Sequence, residues 1–327
     1  MRAPAFWDNP PDAPGILARL LSPLGALYAA ATARRLARGS SWHAGIPVIC
    51  IGNLSVGGTG KTPTTIALAE RLGDGTHIVS RGFGGRLDGP LRVDERRHHA
   101  EDVGDEPLLM AAFAPVWIAR DRAAGVRAAE NAGARLVLLD DGFQNPAVAR
   151  SLSIVVADAA RGFGNGRCIP AGPLREPVAA GLARADLLLT IGEPAMQARF
   201  GKTWGAAAAG LARIEGRLAP LQTGMDWQGM PVLAFAGIGY PEKFFATLRS
   251  LGADIRRTEA LEDHQPLTPA LMTRLEAEAG KLGAQLVTTE KDAARMQPAF
   301  RRKVLTVPVR LAVDDWTALD RLVAALP

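Results

Sequence analysis

The run IPVICIGNLSVGGTGKT, residues 46–62, decides how this chain folds. Its first six residues are apolar or proline and predict a buried strand. The glycines that follow predict a tight loop, because glycine takes positive φ values at no steric cost. Apolar residues at helical spacing then continue to Gly73, and Pro63 falls in the first turn, where proline is tolerated. The run therefore predicts strand, Gly-rich loop and helix in succession.

Lys61 is the only lysine before Lys202 in a stretch that otherwise uses arginine for positive charge. A compact ammonium at the end of such a loop is typical of a P-loop, which surrounds a phosphate chain with backbone N–H groups. Lysine reaches the β- and γ-phosphates, and the hydroxyl that follows ligates Mg²⁺. The predicted phosphate-binding residues are Ser55, Val56, Gly57, Gly58, Thr59, Gly60, Lys61 and Thr62.

The motif departs from the strict P-loop pattern at two positions. Ser55 stands where glycine is expected, and Val56 stands where one subclass of P-loop proteins has a second, signature lysine. The alternative interpretation is a Gly-rich turn between strand and helix that binds no ligand.

Composition limits the possible classes of protein. The chain has 327 residues and a net charge of +5, which suits two domains or one large one and favours acidic partners. Aromatic residues make up 6% of the chain, too few to favour the stacking of nucleic-acid bases. Cys50 and Cys168 lie far apart, so no disulfide framework is predicted and a reducing cytoplasm is expected.

Short apolar runs alternate with helical patterns after the P-loop, which predicts an α/β fold with a parallel sheet covered on both faces. The predicted strands of this part are 77–80, 116–119, 136–139, 154–157 and 187–190. The pattern loosens over 203–230, and a second α/β pattern follows to the end of the chain. We therefore expect a P-loop NTPase-like domain at 41–225 and a smaller α/β domain at 226–327, with a substrate cleft between them.

Residues 1–40 are expected to form a separate N-terminal helix that is apolar and carries several arginines. The uncharged stretch 20–33 is short for a bilayer span, and Pro23 interrupts it. No small-residue cleavage site follows a basic start, so a signal peptide is not predicted. Two interpretations stay open: an amphipathic helix at a membrane interface, or an ordinary helix packed on the domain.

Several other residues could take part in chemistry. Asp140 and Asp141 follow an apolar run, where P-loop enzymes hold Mg²⁺, although a turn aspartate is the alternative. Asp105 begins a predicted helix and is either its cap or one half of an Asp–His pair with His264 that deprotonates a hydroxyl. Arg120 and Arg175 could neutralise charge on a transferring phosphoryl group, or they could be ordinary surface charges. Glu176 could join the metal shell.

Together these motifs resemble one family, the tetraacyldisaccharide 4′-kinases of lipid A synthesis. The matches keep the family's order over nearly the whole chain. They are 52–63 around the P-loop, SRGFGG at 80–85, GDEP at 104–107, DDGFQ at 140–144, RGFGNG at 161–166, PAGPLRE at 170–176, AGIG at 236–239, DHQ at 263–265 and TEKDA at 289–293. The chain departs at Asn145 and Gln265, where relatives often have histidine.

The resemblance implies that the protein transfers the γ-phosphoryl group of ATP to the 4′-hydroxyl of a tetraacylated glucosamine disaccharide 1-phosphate. It implies peripheral contact with the cytoplasmic face of the bacterial inner membrane through the N-terminal helix. It also implies that Asp105 and His264 activate the hydroxyl, and that Arg120 and Arg175 lie near the reacting phosphates. The implied Mg²⁺ ligands are Thr62, Asp140, Asp141 and Glu176. Nothing in the sequence requires an oligomer.

Two other classes of function are weighed against this one. A P-loop NTPase that acts as a switch or metallochaperone shares the GGxGKT form, but the absent lysine at Val56 argues against it. A nucleic-acid-binding module is suggested only by the basic charge and is not expected to bind through stacking.

Overall fold

The computed structural model describes residues 3–263 and 265–326. Its α-helices are α1 (Ile16–Arg38), α2 (Lys61–Leu72), α3 (Ala100–Val103), α4 (Asp105–Met110), α5 (Arg122–Asn131), α6 (Val178–Leu182), α7 (Pro194–Trp204), α8 (Pro241–Ser250), α9 (Pro269–Lys281), α10 (Glu290–Ala294), α11 (Pro298–Arg301) and α12 (Thr317–Ala324). Its strands are β1 (Val48–Gly52), β2 (Thr76–Ser80), β3 (Leu91–Arg92), β4 (Val116–Ile118), β5 (Leu136–Asp140), β6 (Leu152–Asp158), β7 (Leu187–Ile191), β8 (Ala212–Pro220), β9 (Pro231–Ala236), β10 (Asp254–Ala260), β11 (Gln285–Thr289), β12 (Val304–Val307) and β13 (Val309–Val313).

The larger sheet has the strand order β13-β8-β7-β6-β1-β5-β2-β4-β3. Its central strands run parallel, and the antiparallel pairs lie at the two ends, β3 on β4 and β13 on β8. Strands β1, β2, β6 and β7 are buried along their full length, since an apolar cluster covers each face of the sheet. The predicted parallel sheet, covered on both faces, is confirmed.

Strand β1 lies at the centre of this sheet between β5 and β6. The register pairs Ile51 with Asp140 on one side and Gly52 with Val155 on the other. Because these strands are parallel, the loop after β1 and the acidic pair after β5 emerge at the same edge. This register places the P-loop beside Asp140 and Asp141.

The smaller sheet has the order β10-β9-β11-β12, and all of its strand pairs are parallel. Helices α8 and α9 cover opposite faces, with Phe245 and Leu275 fully buried in two separate clusters. This is the second α/β unit that the sequence predicts after the loose stretch.

The end of the chain differs from the sequence prediction. Strand β13 pairs with β8 of the larger sheet, and Leu319 of α12 is buried in the same cluster as Ile66 of α2. The sequence pattern assigns all of 226–327 to the smaller unit. It predicts no strand within 203–230, where β8 lies. The local sequence pattern does not predict that the chain returns to the larger sheet, because β13 is held there by pairing with a strand far away in sequence. The boundary near 225 stays a prediction for where the smaller unit starts.

Helix α1 runs through Pro23 without a break and rests on the segment around Cys168. Its contact face is narrow, with Ala18, Gly25 and Thr32 buried at seven-residue spacing. Arg167 donates to the hydroxyl of Ser22 at 2.7 Å. The large side chains on the remaining surface are exposed, namely Ile16, Leu17, Leu20, Leu24, Leu27 and Tyr28.

The helix is 23 residues long and reaches a mean hydropathy of 1.4, so by length and composition alone it could cross a membrane. Signal sequences and the core helices of soluble proteins pass the same test. The sequence prediction that this segment is short for a bilayer span rests on the uncharged stretch 20–33 alone. The helix extends beyond that stretch on both sides.

Candidate active site

The loop between β1 and α2 has the backbone of a phosphate-binding loop. Gly57 and Gly60 have φ values of 102° and 95°, in the region that favours glycine. A Cβ on Gly60 would lie 2.5 Å from the Ile191 side chain, so space as well as φ requires glycine there. Asn53 is buried and donates to Thr59 Oγ1 at 3.0 Å, which ties the two ends of the loop together.

A second segment pairs with the start of this loop. Val56 N donates to Pro173 O at 2.8 Å, and Arg175 N donates to Leu54 O at 2.7 Å. These backbone bonds bring the predicted PAGPLRE motif, far away in sequence, to the P-loop. They also set the position of Arg175.

Lys61, Asp141 and Arg175 form one cluster. Lys61 Nζ lies 3.7 Å from Asp141 Oδ1, and Arg175 Nη1 donates to the same oxygen at 2.9 Å. Burial alone would raise the pKa of Asp141, but Lys61, Arg175 and Arg122 outweigh it and hold that pKa below its usual value. Asp141 has a φ of 49°, an unusual backbone conformation that turns this residue at the end of the strand. Asp141 thus lies beside the P-loop lysine.

Asp140 has the opposite electrostatic character. Burial, with smaller contributions from Glu106 and Asp141, raises its pKa from 3.8 to about 6. Its Oδ2 accepts from Ser80 Oγ at 2.9 Å, while its buried Oδ1 has no hydrogen-bond partner among the described residues. A buried carboxylate oxygen without a donor suits a cation.

The described residues contain no group of three or more His, Cys, Asp or Glu side chains arranged to hold a metal. Mg²⁺ is usually bound by one or two carboxylates together with substrate phosphates and water. Asp140 and Thr62, beside the P-loop, fit that donor set.

Glu176, the fourth predicted metal ligand, is 2% exposed and already has protein partners. Arg184 Nη2 lies 2.5 Å from Glu176 Oε2, and Gln144 Nε2 donates to Oε1 at 2.9 Å. Gln144 also donates to Asn53 O at 2.8 Å, so this network supports the base of the P-loop. A role for Glu176 in the metal shell stays a prediction.

The two arginines at the end of β4 have different environments. Arg120 is exposed and pairs with Asp88 at 2.9 Å. Arg122 is buried and donates to the carbonyl oxygens of Ala119 and Asp140, at 3.3 and 3.1 Å. The role of Arg120 near the phosphates stays a prediction, whereas Arg122 braces the backbone that carries the acidic pair.

Asp105 begins α4 and is buried, and its Oδ1 accepts from Glu106 N at 2.9 Å. Arg295 of the smaller unit approaches its Oδ2 to 3.7 Å. Lys291, on α10, lies 3.1 Å from Glu106 and 3.6 Å from Asp263. His264, the proposed partner of Asp105, lies outside the described residues. Arg295 links Asp105 to Gln265, and Lys291 links Glu106 to Asp263.

Three residues of this site were not given roles from sequence. Lys291 lies in the TEKDA motif, which carried the resemblance without a chemical assignment. Arg122 has no role in the sequence analysis, because the sequence does not reveal that this side chain is buried. Arg295 lies two residues beyond the end of the same motif, so no motif includes it and the sequence gives it no role.

Comparison with known proteins matches this architecture. A family model described as tetraacyldisaccharide-1-P 4′-kinase matches residues 17–326. This chain belongs to the tetraacyldisaccharide-1-phosphate 4′-kinase family. The predicted family is therefore confirmed.

Relatives named tetraacyldisaccharide 4′-kinase resemble the chain along its whole length. The one from Dinoroseobacter shibae is 65% identical over 322 residues, covering 98% of this chain and 96% of the relative. The one from Jannaschia sp. is 61% identical over 326 residues, covering 99% and 98%. The predicted enzyme class, a phosphotransferase acting on a hydroxyl group, is thereby confirmed.

A solved structure of this kinase family has the same fold. It is the "apo" form LpxK from Aquifex aeolicus in complex with ATP, with a TM-score of 0.74 and 26% sequence identity. The match covers 94% of this chain and 99% of that one. The predicted α/β fold of the P-loop NTPase type is confirmed.

Proposed function

We propose that this chain transfers the γ-phosphoryl group of ATP to the 4′-hydroxyl of a tetraacyldisaccharide 1-phosphate in lipid A synthesis. The observation that carries the proposal is the common edge at which three features meet: the P-loop, the acidic pair Asp140-Asp141, and Asp105. Helix α4 contacts α2, the helix that begins at Lys61, and the charge of Glu106, next to Asp105, contributes to the raised pKa of Asp140. Family membership supports the choice of acceptor.

The chain's own residues bind and orient the triphosphate. We place the phosphates against the backbone of 55–60 and the N-terminus of α2, whose dipole favours anions. Lys61 and Arg175 supply positive charge, and both now lie on Asp141. We assign Mg²⁺ to Thr62, Asp140 and Asp141, where it would neutralise phosphate charge as the phosphoryl group moves.

Asp105 is proposed to accept the proton of the attacking hydroxyl, with His264 as its partner. A general base has to lie within hydrogen-bond reach of that proton. The Asp105 carboxylate is fixed on one side by Glu106 N, which holds Oδ1 in place. This arrangement supports a positioned base at the start of α4.

We also propose that the enzyme works as a peripheral protein at the cytoplasmic face of the inner membrane. The support is α1, whose large apolar side chains are exposed and whose basic residues are Arg19, Arg34, Arg35 and Arg38. Apolar side chains flanked by arginine suit an interface in which lipid phosphates meet acyl chains. Contact of α1 with the membrane would bring the enzyme to its acceptor, because the acceptor is a lipid that resides in a membrane.

The deciding experiment mixes the full chain with γ-labelled ATP, Mg²⁺ and the tetraacyldisaccharide 1-phosphate in mixed micelles. Label should appear in the lipid, and it should not appear there when Mg²⁺ is omitted. Label found only in free phosphate, with or without lipid, would contradict the kinase assignment and favour an NTPase switch. No contact among residues 3–263 and 265–326 favours that switch over the kinase.

A further inference from the structure

Helix α10 and the residue that follows it present two cations to the larger unit. Thr289 caps the helix through Asp292 N at 3.1 Å, which fixes where the first turn begins. Lys291 and Arg295 are four residues apart and therefore lie on the same side of this turn. Both point at the start of α4, where two acids, Asp105 and Glu106, are adjacent in sequence.

Lys291 connects the two units. Its Nζ lies 3.1 Å from Glu106 Oε1 in α4 and 3.6 Å from Asp263 Oδ1 in the smaller unit. Burial lowers the pKa of Lys291, but Glu106, Asp105 and Asp263 outweigh this effect and raise it, so the side chain is charged. This ammonium thus touches the residue just before position 264.

Arg295 makes the parallel connection one turn later. Its Nη1 donates to Gln265 O at 3.0 Å, and its Nε lies 3.7 Å from Asp105 Oδ2. It is held in turn by Asp292 and by Gly237 O. The Arg295 side chain is 9% exposed, and the planar set of donors of its guanidinium reaches several acceptors in fixed directions. This cation thus touches the residue just after position 264.

We propose that Lys291 and Arg295 are positioning residues for phosphoryl transfer, a pair that we call the α10 clamp. The proposal rests on the kinase function above. The clamp holds the Asp105-Glu106 pair of one unit against two residues of the other, with Lys291 on Asp263 and Arg295 on Gln265. Neither cation transfers a proton; each sets the distance between the base at Asp105 and the loop that faces it.

The chemistry makes this distance important. A general base acts only within hydrogen-bond reach, and a displacement of about 1 Å reduces rates by about a hundredfold. ATP is bound by the P-loop on a different element. Loosening the clamp should therefore lower kcat and leave KM for ATP nearly unchanged.

The test is a cycle of Lys291→Met, Glu106→Gln and the double variant, with Lys291→Arg as the conservative change. Lys291→Met should lower kcat about ten- to a hundredfold with KM for ATP within about twofold. Lys291→Arg should recover much of that loss. The double variant should be no slower than the slower single variant, because both changes break one contact.

Hydrogen exchange of the protein without substrates gives a readout independent of activity. Amides in 105–110 and 261–267 should exchange faster in Lys291→Met, and no faster in Lys303→Met, which breaks the exposed pair with Glu276 in the same unit. The clamp would be overturned if the loss of kcat in the double variant equalled the product of the two single losses. It would also be overturned if amide exchange in both segments were the same in Lys291→Met as in wild type. A wild-type chain that does not phosphorylate the lipid would refute the kinase assignment, while exchange would still decide the clamp.

Discussion

Lys61 Nζ lies 3.7 Å from Asp141 Oδ1, and Arg175 Nη1 lies 2.9 Å from the same oxygen. One carboxylate thus holds both cations at the mouth of the P-loop. Lys61 and Arg175 stabilise the negative charge of Asp141, since they keep the pKa of this carboxyl low despite its burial. We expect a bound triphosphate to compete with this carboxylate for both cations, because it carries the same sign of charge.

Lys61→Met should weaken nucleotide binding and lower turnover by about a hundredfold or more, because the charge that meets the β- and γ-phosphates is lost. Fluorescent ATP-analogue titration measures binding, and lipid phosphorylation measures turnover. Lys202→Met is the control, since that lysine lies at the end of α7 and should leave both unchanged. Nucleotide affinity equal to wild type would contradict the P-loop assignment.

Gly60→Ala should destabilise the protein by about 2 kcal/mol or more. The positive φ of 95° strains any L side chain, and the new Cβ would lie 2.5 Å from Ile191. Gly58→Ala is the matched control, because a Cβ there meets nothing within 4 Å. Urea unfolding without nucleotide measures both. Equal stability of the two variants would show that the loop adopts another conformation.

Asp140 and Asp141 should affect stability with opposite dependence on pH. The folded pKa of Asp140 is raised from 3.8 to about 6, so its contribution is present below pH 4 and is lost as pH rises through 6. Asp140→Asn should therefore gain stability relative to wild type on going from pH 4 to pH 7. The folded pKa of Asp141 is lowered, so its contribution is present above the unfolded pKa and is lost in acid.

Asp141→Asn should accordingly lose stability relative to wild type at pH 7, and the loss should shrink as pH falls. Thermal unfolding of both variants from pH 4 to pH 8, without Mg²⁺ and nucleotide, measures the two trends. If the stability of both variants relative to wild type changed in the same direction with pH, the opposite pKa shifts of Asp140 and Asp141 would be contradicted.

Much of this site could be predicted because a parallel sheet brings consecutive strand ends to one edge. The P-loop after β1 and the acids after β5 are each recognisable locally, and their meeting follows from strand order. The contacts of Arg120 and Arg122 could not be predicted, since burial differs between two arginines only two positions apart. Nor could the pairing of β13 with β8 or the clamp at α10, because each joins distant segments through tertiary packing alone.

Asp105→Asn should lower turnover about a hundredfold or more while ATP binding persists. The amide keeps the shape of the side chain and loses its ability to accept a proton. Equilibrium binding of ATP and single-turnover phosphorylation of the lipid separate the two effects. Near-normal turnover in this variant would show that another group is the base.

Leu20 and Leu27 should contribute to membrane binding and not to stability, because they are 70% and 67% exposed on α1. Each leucine that enters an acyl layer contributes about 2 kcal/mol of apolar burial, so Leu20→Ser with Leu27→Ser should weaken binding to anionic vesicles more than tenfold. Co-sedimentation with phosphatidylglycerol vesicles measures this. Leu282→Ser, at an exposed position in the smaller unit, is the matched control and should bind as wild type does. Vesicle binding by the double variant at the wild-type level, with unfolding temperature also unchanged, would assign the exposed face of α1 to something other than lipid.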